Sequence, residues 1–219
     1  MRKYAFILLT IITLCFAVGC NSNNSNKDIY KNDFKNTYVL EEELFENQST
    51  DMNIKISYPQ IKNSNTPVVK QINYIIKDNA IGQYYNKHNL KGLTLDQSYE
   101  VEMFNDEVLS IVFYKYSYVA GTPHPNINCH AVTINLKTAE RLFLSDFIKS
   151  YKDLENIILD GNYEILYGGL KAMNTDEIIK CVNSKLEQEH FYISKSEDIC
   201  ILIDLPHGGG GYSIIKINR

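Results

Sequence analysis

The chain of 219 residues has no tryptophan and only five prolines and five cysteines. Nowhere does an apolar run reach the ~20 residues that a helix needs to cross a bilayer. No two cysteines are spaced as Cys-x-x-Cys, which excludes a zinc ribbon. No His-Glu-x-x-His marks a metalloprotease and no Gly-x-Ser-x-Gly marks a nucleophile elbow. A Walker loop is missing too: the glycines from Gly208 to Gly211 are followed by Tyr212-Ser213-Ile214, which opens a strand. That run instead permits a tight backbone path or positive φ values. Basic charge is also short, with 22 Lys and Arg against 26 Asp and Glu. Such a balance argues against nucleic acid and against broad adsorption to anionic lipid, and it is compatible with a basic protein partner. The richness in asparagine and lysine suggests an AT-rich genome.

What the chain does have begins at its amino end. Arg2 and Lys3 precede a run from Tyr4 to Val18 that is apolar apart from Thr10 and Thr13, and small residues then lead into Cys20. This is the layout of a secretory signal, residues 1–19. Ala17-Val18-Gly19-Cys20 resembles the lipobox of bacterial lipoproteins, with Ala17 where Leu is usual. The resemblance implies acylation of Cys20, palmitate included, and anchoring in the bilayer on the extracytoplasmic face of the cell membrane. Asn21 to Asp28 carry no apolar side chain to repay the entropy of ordering, so residues 20–46 are expected to be anchor and flexible stalk. Cleavage before Cys20 leaves 20 basic residues against 26 acidic ones, a net charge of −6. It also leaves Cys129, Cys181 and Cys200, which read as small buried hydrophobes, with the pairing of any two left open.

The globular part shows mixed periodicity. Met52 to Ile61 alternates Ile54, Ile56 and Tyr58 with Asn53, Lys55 and Ser57, a strand that Pro59 is expected to end. Asn65 or Thr66 then caps a helix that begins at Pro67 and buries Val69, Ile72, Ile76 and Ala80 on a sheet. Two β-rich runs between Ser98 and Val119 flank Asn105-Asp106-Glu107 and read as a hairpin. Val112, Tyr114, Tyr116 and Tyr118 share one face of its second strand. The ordinary reading of that ladder is core or half-exposed packing; the alternative is a platform for sugars. A strand from Asn128 to Leu136 and a turn at Lys137-Thr138 follow. Ser145 is expected to cap a helix bearing Phe147, Ile148, Tyr151, Leu154, Ile157 and Ile158, stopped by Asp160-Gly161-Asn162. Asn174 and Glu177 form a capping box for a helix burying Ile178, Val182 and Leu186. Strands then run through Phe191 to Ile193, Ile199 to Leu205 and Tyr212 to Ile217.

Tyr116-Ser117-Tyr118-Val119-Ala120-Gly121-Thr122-Pro123-His124-Pro125-Asn126, a strand, and then Leu142-Phe143-Leu144-Ser145-Asp146-Phe147 resemble a paired domain of unknown function from bacterial envelopes. Its bearers include the extracellular part of RsiV-type anti-sigma factors, which sense lysozyme, and the region ahead of the catalytic domain in PdaC-type peptidoglycan deacetylases. Ile56 to Ile61 and the carboxyl end from Phe191 through His207-Gly208 to Ile217 support the likeness, which spans most of the chain from Met52. Departures are Ala120-Gly121-Thr122, where members often have Gly-Gly-Ala, and Ala139, where a turn Gly is usual. The resemblance implies an α+β fold with helices packed on antiparallel sheets, in two small, tightly packed subdomains at 47–136 and 137–219. With neither a cytoplasmic segment before the signal nor a deacetylase domain after Ile217, the expected function is binding or sensing, of lysozyme or a cell-wall component such as peptidoglycan.

Candidate binding residues on this reading are Tyr116, Tyr118, His124, Asn126 and His207. No catalytic residue, cofactor or metal is expected. The rival reading, a peptidoglycan hydrolase or deacetylase built on His124, His130 and Asp146, lacks recognised ligand spacing. The plainer account is that His124 orders its loop while His130 and His207 pack or face solvent. Glu187-x-x-His190 matches half of a di-iron motif without its required second half. A third reading is a structural envelope module that binds partner proteins through the tyrosine face.

Overall fold

Alternating apolar residues build two sheets in the computed structural model, which describes residues 30–31, 38–84, 91–183, 190–205 and 211–218. Cys20, the proposed stalk up to residue 29, Leu186, Glu187 and His207 lie outside the described residues. The first sheet has seven strands in chain order. These are β1 (Tyr30–Lys31), β2 (Val39–Ser49), β3 (Met52–Ile61), β4 (Leu93–Phe104), β5 (Val108–Val119), β6 (Asn126–Asn135) and β7 (Glu140–Leu142). All neighbours are antiparallel except β3 and β4, which run parallel from Met52↔Leu93 to Ile56↔Gln97. A parallel pair needs a crossover, and helix α1 (Pro67–Ile81) supplies it.

The start of α1 follows its sequence: Thr66 Oγ1 accepts a hydrogen bond from Val69 N at 3.3 Å, and Pro67 sits at the first position. Its stripe of Val69, Ile72, Ile76 and Ala80 is buried against Ile54, Ile56, Leu95, Ile111, Phe113 and Ile134. Each of the larger side chains, fully withdrawn from water, contributes about 1.5–3 kcal/mol. Asn105 Oδ1 accepts from Glu107 N and Val108 N at the β4–β5 turn. Asn135 Oδ1 does the same for Lys137 N and Thr138 N before β7. Both are Asx turns, the reason asparagine starts each reversal.

The second sheet has four antiparallel strands in the order β8-β11-β10-β9: β8 (Tyr163–Tyr167), β9 (Phe191–Ile193), β10 (Ile199–Asp204) and β11 (Tyr212–Ile217). Helices α2 (Tyr151–Leu159) and α3 (Thr175–Asn183) cover it, placing Leu154, Ile158, Ile178 and Val182 on Ile201, Ile203 and Ile215. The expected capping box forms: Glu177 N donates to Asn174 Oδ1 and Asn174 N donates to Glu177 Oε2, each at 3.0 Å. Among the described residues the fold is thus α+β, with three helices on two antiparallel-rich sheets.

Four local expectations are corrected. The strand does not end at Pro59, which pairs with Glu42 within β3. Pro59 has the same parity as Ile61, whose N–H points away from β2 to Asn73 Oδ1, and β4 pairs no further than Ile56. The missing donor therefore faces no ladder. The helix expected from Ser145 begins after Ser150, whose Oγ accepts from Asp153 N at 3.2 Å; Leu144–Asp146 form only a 3-10 turn. Residues 39–46, assigned to the stalk, belong to β2, where Leu40 is wholly buried. Finally, β7 lies beyond residue 136 yet pairs with β6, so the first sheet extends past the expected boundary.

Candidate functional site

The two sheets meet along one face of β5 and β6. Cross-strand pairing puts Val112 beside Ala131, Tyr114 beside Cys129 and Tyr116 beside Ile127 on that face. At one end it is closed. Val112, Cys129 and Ala131 pack on Tyr192, Cys200, Leu202, Tyr212 and Ile214 of the second sheet. A short hydrogen-bond relay joins the sheets there: Ile193 N donates to Ser110 Oγ at 3.0 Å, Ser110 and Thr133 hydroxyls lie 2.8 Å apart, and Thr133 Oγ1 donates to Phe191 O at 3.4 Å.

At the other end the same face opens into a groove of about 510 Å³, within the ~300–1,000 Å³ range of small-molecule sites. Asp96 and Ser98 from β4, Tyr114, Lys115 and Tyr116 from β5, Ile127 and Asn128 from β6 and Tyr212 from β11 line it. Tyr116 is 44% exposed and Ile127 46%. The Tyr212 ring stacks on Tyr167 with centroids 4.8 Å apart and 28° between planes. Thr94, Asp96, Ser98 and Glu100 form an exposed polar row beside the tyrosines. Gly211 (φ +86°) brings β11 onto the groove wall: a Cβ there would stand 2.0 Å from Ile127 O, so only glycine permits this approach.

Burial raises the pKa of two of the groove's phenols, Tyr114 and Tyr212. Tyr212 is pushed up to about 12, by burial first and then by the neighbouring Cys129 and Tyr167. Tyr114 is raised too, by burial first and then by the Glu100 and Glu102 carboxylates. Glu102 itself is raised by burial, then by Glu100.

The sequence candidates separate in space. Tyr116 lines the groove, and Tyr118 continues the same face of β5, half-buried. Asn126 pairs with Ser117, which places it on the opposite face from Tyr116. His124 is exposed in the β5–β6 connection, where Thr122 Oγ1 donates to its carbonyl at 3.4 Å. The rival set of His124, His130 and Asp146 occupies three environments. His130 is half-buried, with Nε2 3.1 Å from Asn79 O and its ring stacked on Phe113 at 5.0 Å. Its pKa is lowered to about 4, by burial first and then by His190, Lys115 and Arg141, against the hydrogen bond to Asn79 O, which raises it. Asp146 Oδ2 accepts from Phe143 N at 2.8 Å and so closes its own turn. Among the described residues, no group of three or more His, Cys, Asp or Glu is placed to hold a metal ion. Among the described residues, Cys129, Cys181 and Cys200 form no disulfide.

Sequence reasoning missed Tyr212, Ile127, Asp96 and Ser98. The alternation of Leu93, Leu95 and Gln97 with Thr94, Asp96 and Ser98 marks the last two as a wet row, but their neighbourhood depends on tertiary pairing.

No protein-family profile matches the chain, and no curated protein does. Among solved structures, a DUF3298 family member from Bacteroides fragilis aligns over 84% of this chain and 92% of its own, at 15% identity and a TM-score of 0.54. A DUF3298 family protein from Pseudomonas aeruginosa aligns over 83% and 88%, at 13% identity and a TM-score of 0.49. At such identities the likeness is one of fold: the chain folds like bacterial proteins of a domain of unknown function. No helix among the described residues is long and apolar enough to cross a membrane.

Proposed function

We propose that this protein is a lipoprotein anchored through Cys20 on the extracytoplasmic face of the cell membrane, and that its folded part is a binding or sensory domain for lysozyme or a cell-wall component. The leader, the lipobox-like Ala17-Val18-Gly19-Cys20 and the resemblance to RsiV-type and PdaC-type domains support the location and the ligand class. The observation that carries the binding role is the groove: aromatic faces beside a row of hydroxyl and carboxyl groups are equipped to hold a surface or a chain of polar rings. The expected readout is retention of the purified protein on cell-wall sacculi or on immobilised lysozyme, reduced in Tyr116→Ala. Retention by neither overturns both ligands. Labelling with radioactive palmitate, lost in Cys20→Ser, tests the anchor; label in that variant, or none in the parent, overturns it.

A further inference from the structure

Three features of the groove narrow its ligand. The first is its aromatic wall: Tyr116 offers an exposed ring, Ile127 lies beside it, and Tyr212 is backed by its stack on Tyr167. Flat apolar faces of this kind pack against the C–H faces of a pyranose ring. The second is the rim, where the Thr94 and Ser98 hydroxyls donate and accept and the Asp96 carboxylate accepts, matching the hydroxyl-rich edge of a sugar. The third is the sign of charge. Asp96 lines the groove, and Glu100 continues its row toward the closed end, where Lys195 lies 3.9 Å away. Lys115 also lines the groove, but it pairs with Gln97 and Asn128, so alternation turns its side chain toward the opposite face and leaves Asp96 as the charge beside the tyrosines. Carboxylate beside aromatic faces repels acidic sugars and phosphates and attracts an ammonium group.

We infer that the groove binds a short oligosaccharide of amino sugars, favouring the free-amine form, with Tyr116 as stacking platform and Asp96 receiving the ammonium. This assignment rests on the reading of the groove as a recognition site. Both residues are exposed, so their substitution leaves the cores intact.

The protein purified from membranes in detergent is titrated with chitotetraose, its fully de-N-acetylated form and tetragalacturonate, followed by tyrosine fluorescence. Both hexosamine chains bind, the free-amine form about fivefold tighter, and the acidic chain does not. Tyr116→Ala weakens both by about tenfold, whereas Tyr74→Ala, on the exposed side of α1, leaves them unchanged. Asp96→Asn removes the preference for the free amine and keeps the acetylated chain's affinity within about twofold. No binding of either hexosamine chain, tighter binding of the acidic one, or an unaltered Tyr116→Ala overturns the assignment. If sacculi or lysozyme still retain the protein while the oligosaccharides do not bind, the sugar assignment falls and the recognition reading stands. Loss of all three removes both.

Discussion

The two ends of one face of β5 differ more than their sequence does. Ser110 and Val112 are completely buried against the second sheet, while Tyr116, two and three pairs further along the same alternation, is 44% exposed. Both ends carry residues of high strand preference, and hydrophobicity alone does not separate them. What separates them is the reach of the second sheet. Its strands are short, three residues in β9 and six each in β10 and β11, and they cover β5 only as far as Tyr114. The uncovered remainder becomes a groove wall because the tyrosines there stand on a sheet whose other face is packed against α1.

That contrast can be broken from its closed end first. Val112→Asp places a carboxylate among Tyr192, Cys200 and Leu202 and is expected to cost about 3–5 kcal/mol, read as a lower denaturant midpoint. Acid probes the back of the same junction, where His130 faces His190 with centroids 6.1 Å apart. The folded-state pKa of His130, about 4, lies below the ordinary value of 6.5. The unfolded chain therefore takes up a proton first, so stability is full above pH 6.5 and is lost as pH falls toward 4. The loss expected from this one group is about 3 kcal/mol, absent in His130→Leu, and equilibrium unfolding across that window measures it. His190, its pKa also lowered by burial, acts in the same direction. Ser110→Ala leaves Ile193 N without its acceptor and is expected to cost about 1–3 kcal/mol. At the open end, Tyr116→Ala is expected to change stability by less than about 0.5 kcal/mol in the same assay. A large loss there would mean that the groove wall is core.

Much of this architecture is legible along the chain. Thr66-Pro67 and the Asn174…Glu177 box announce two helices because their caps are satisfied within three residues. The hairpin at Asn105 is equally local. Strands β2 and β8 were not foreseen: Glu41, Glu42 and Glu43 obscure any core-facing alternation in the first, and Tyr163–Tyr167 is half-exposed on both faces. The site was half legible. The tyrosine ladder stands in the sequence at period two, but its division into buried and open halves depends on Tyr212 and Gly211 arriving from nearly a hundred residues away. Asn126, chosen for its neighbours in sequence, lies on the other face, since adjacent strand residues point apart.

Nitration of exposed tyrosines, mapped by mass spectrometry with and without soluble cell-wall fragments, tests the groove as the recognition site most directly. Tyr74 on α1 is 62% exposed and serves as the internal reference. Fragments that protect Tyr116 while Tyr74 continues to react are the expected result; equal reaction of Tyr116 in the presence and absence of fragments would contradict it.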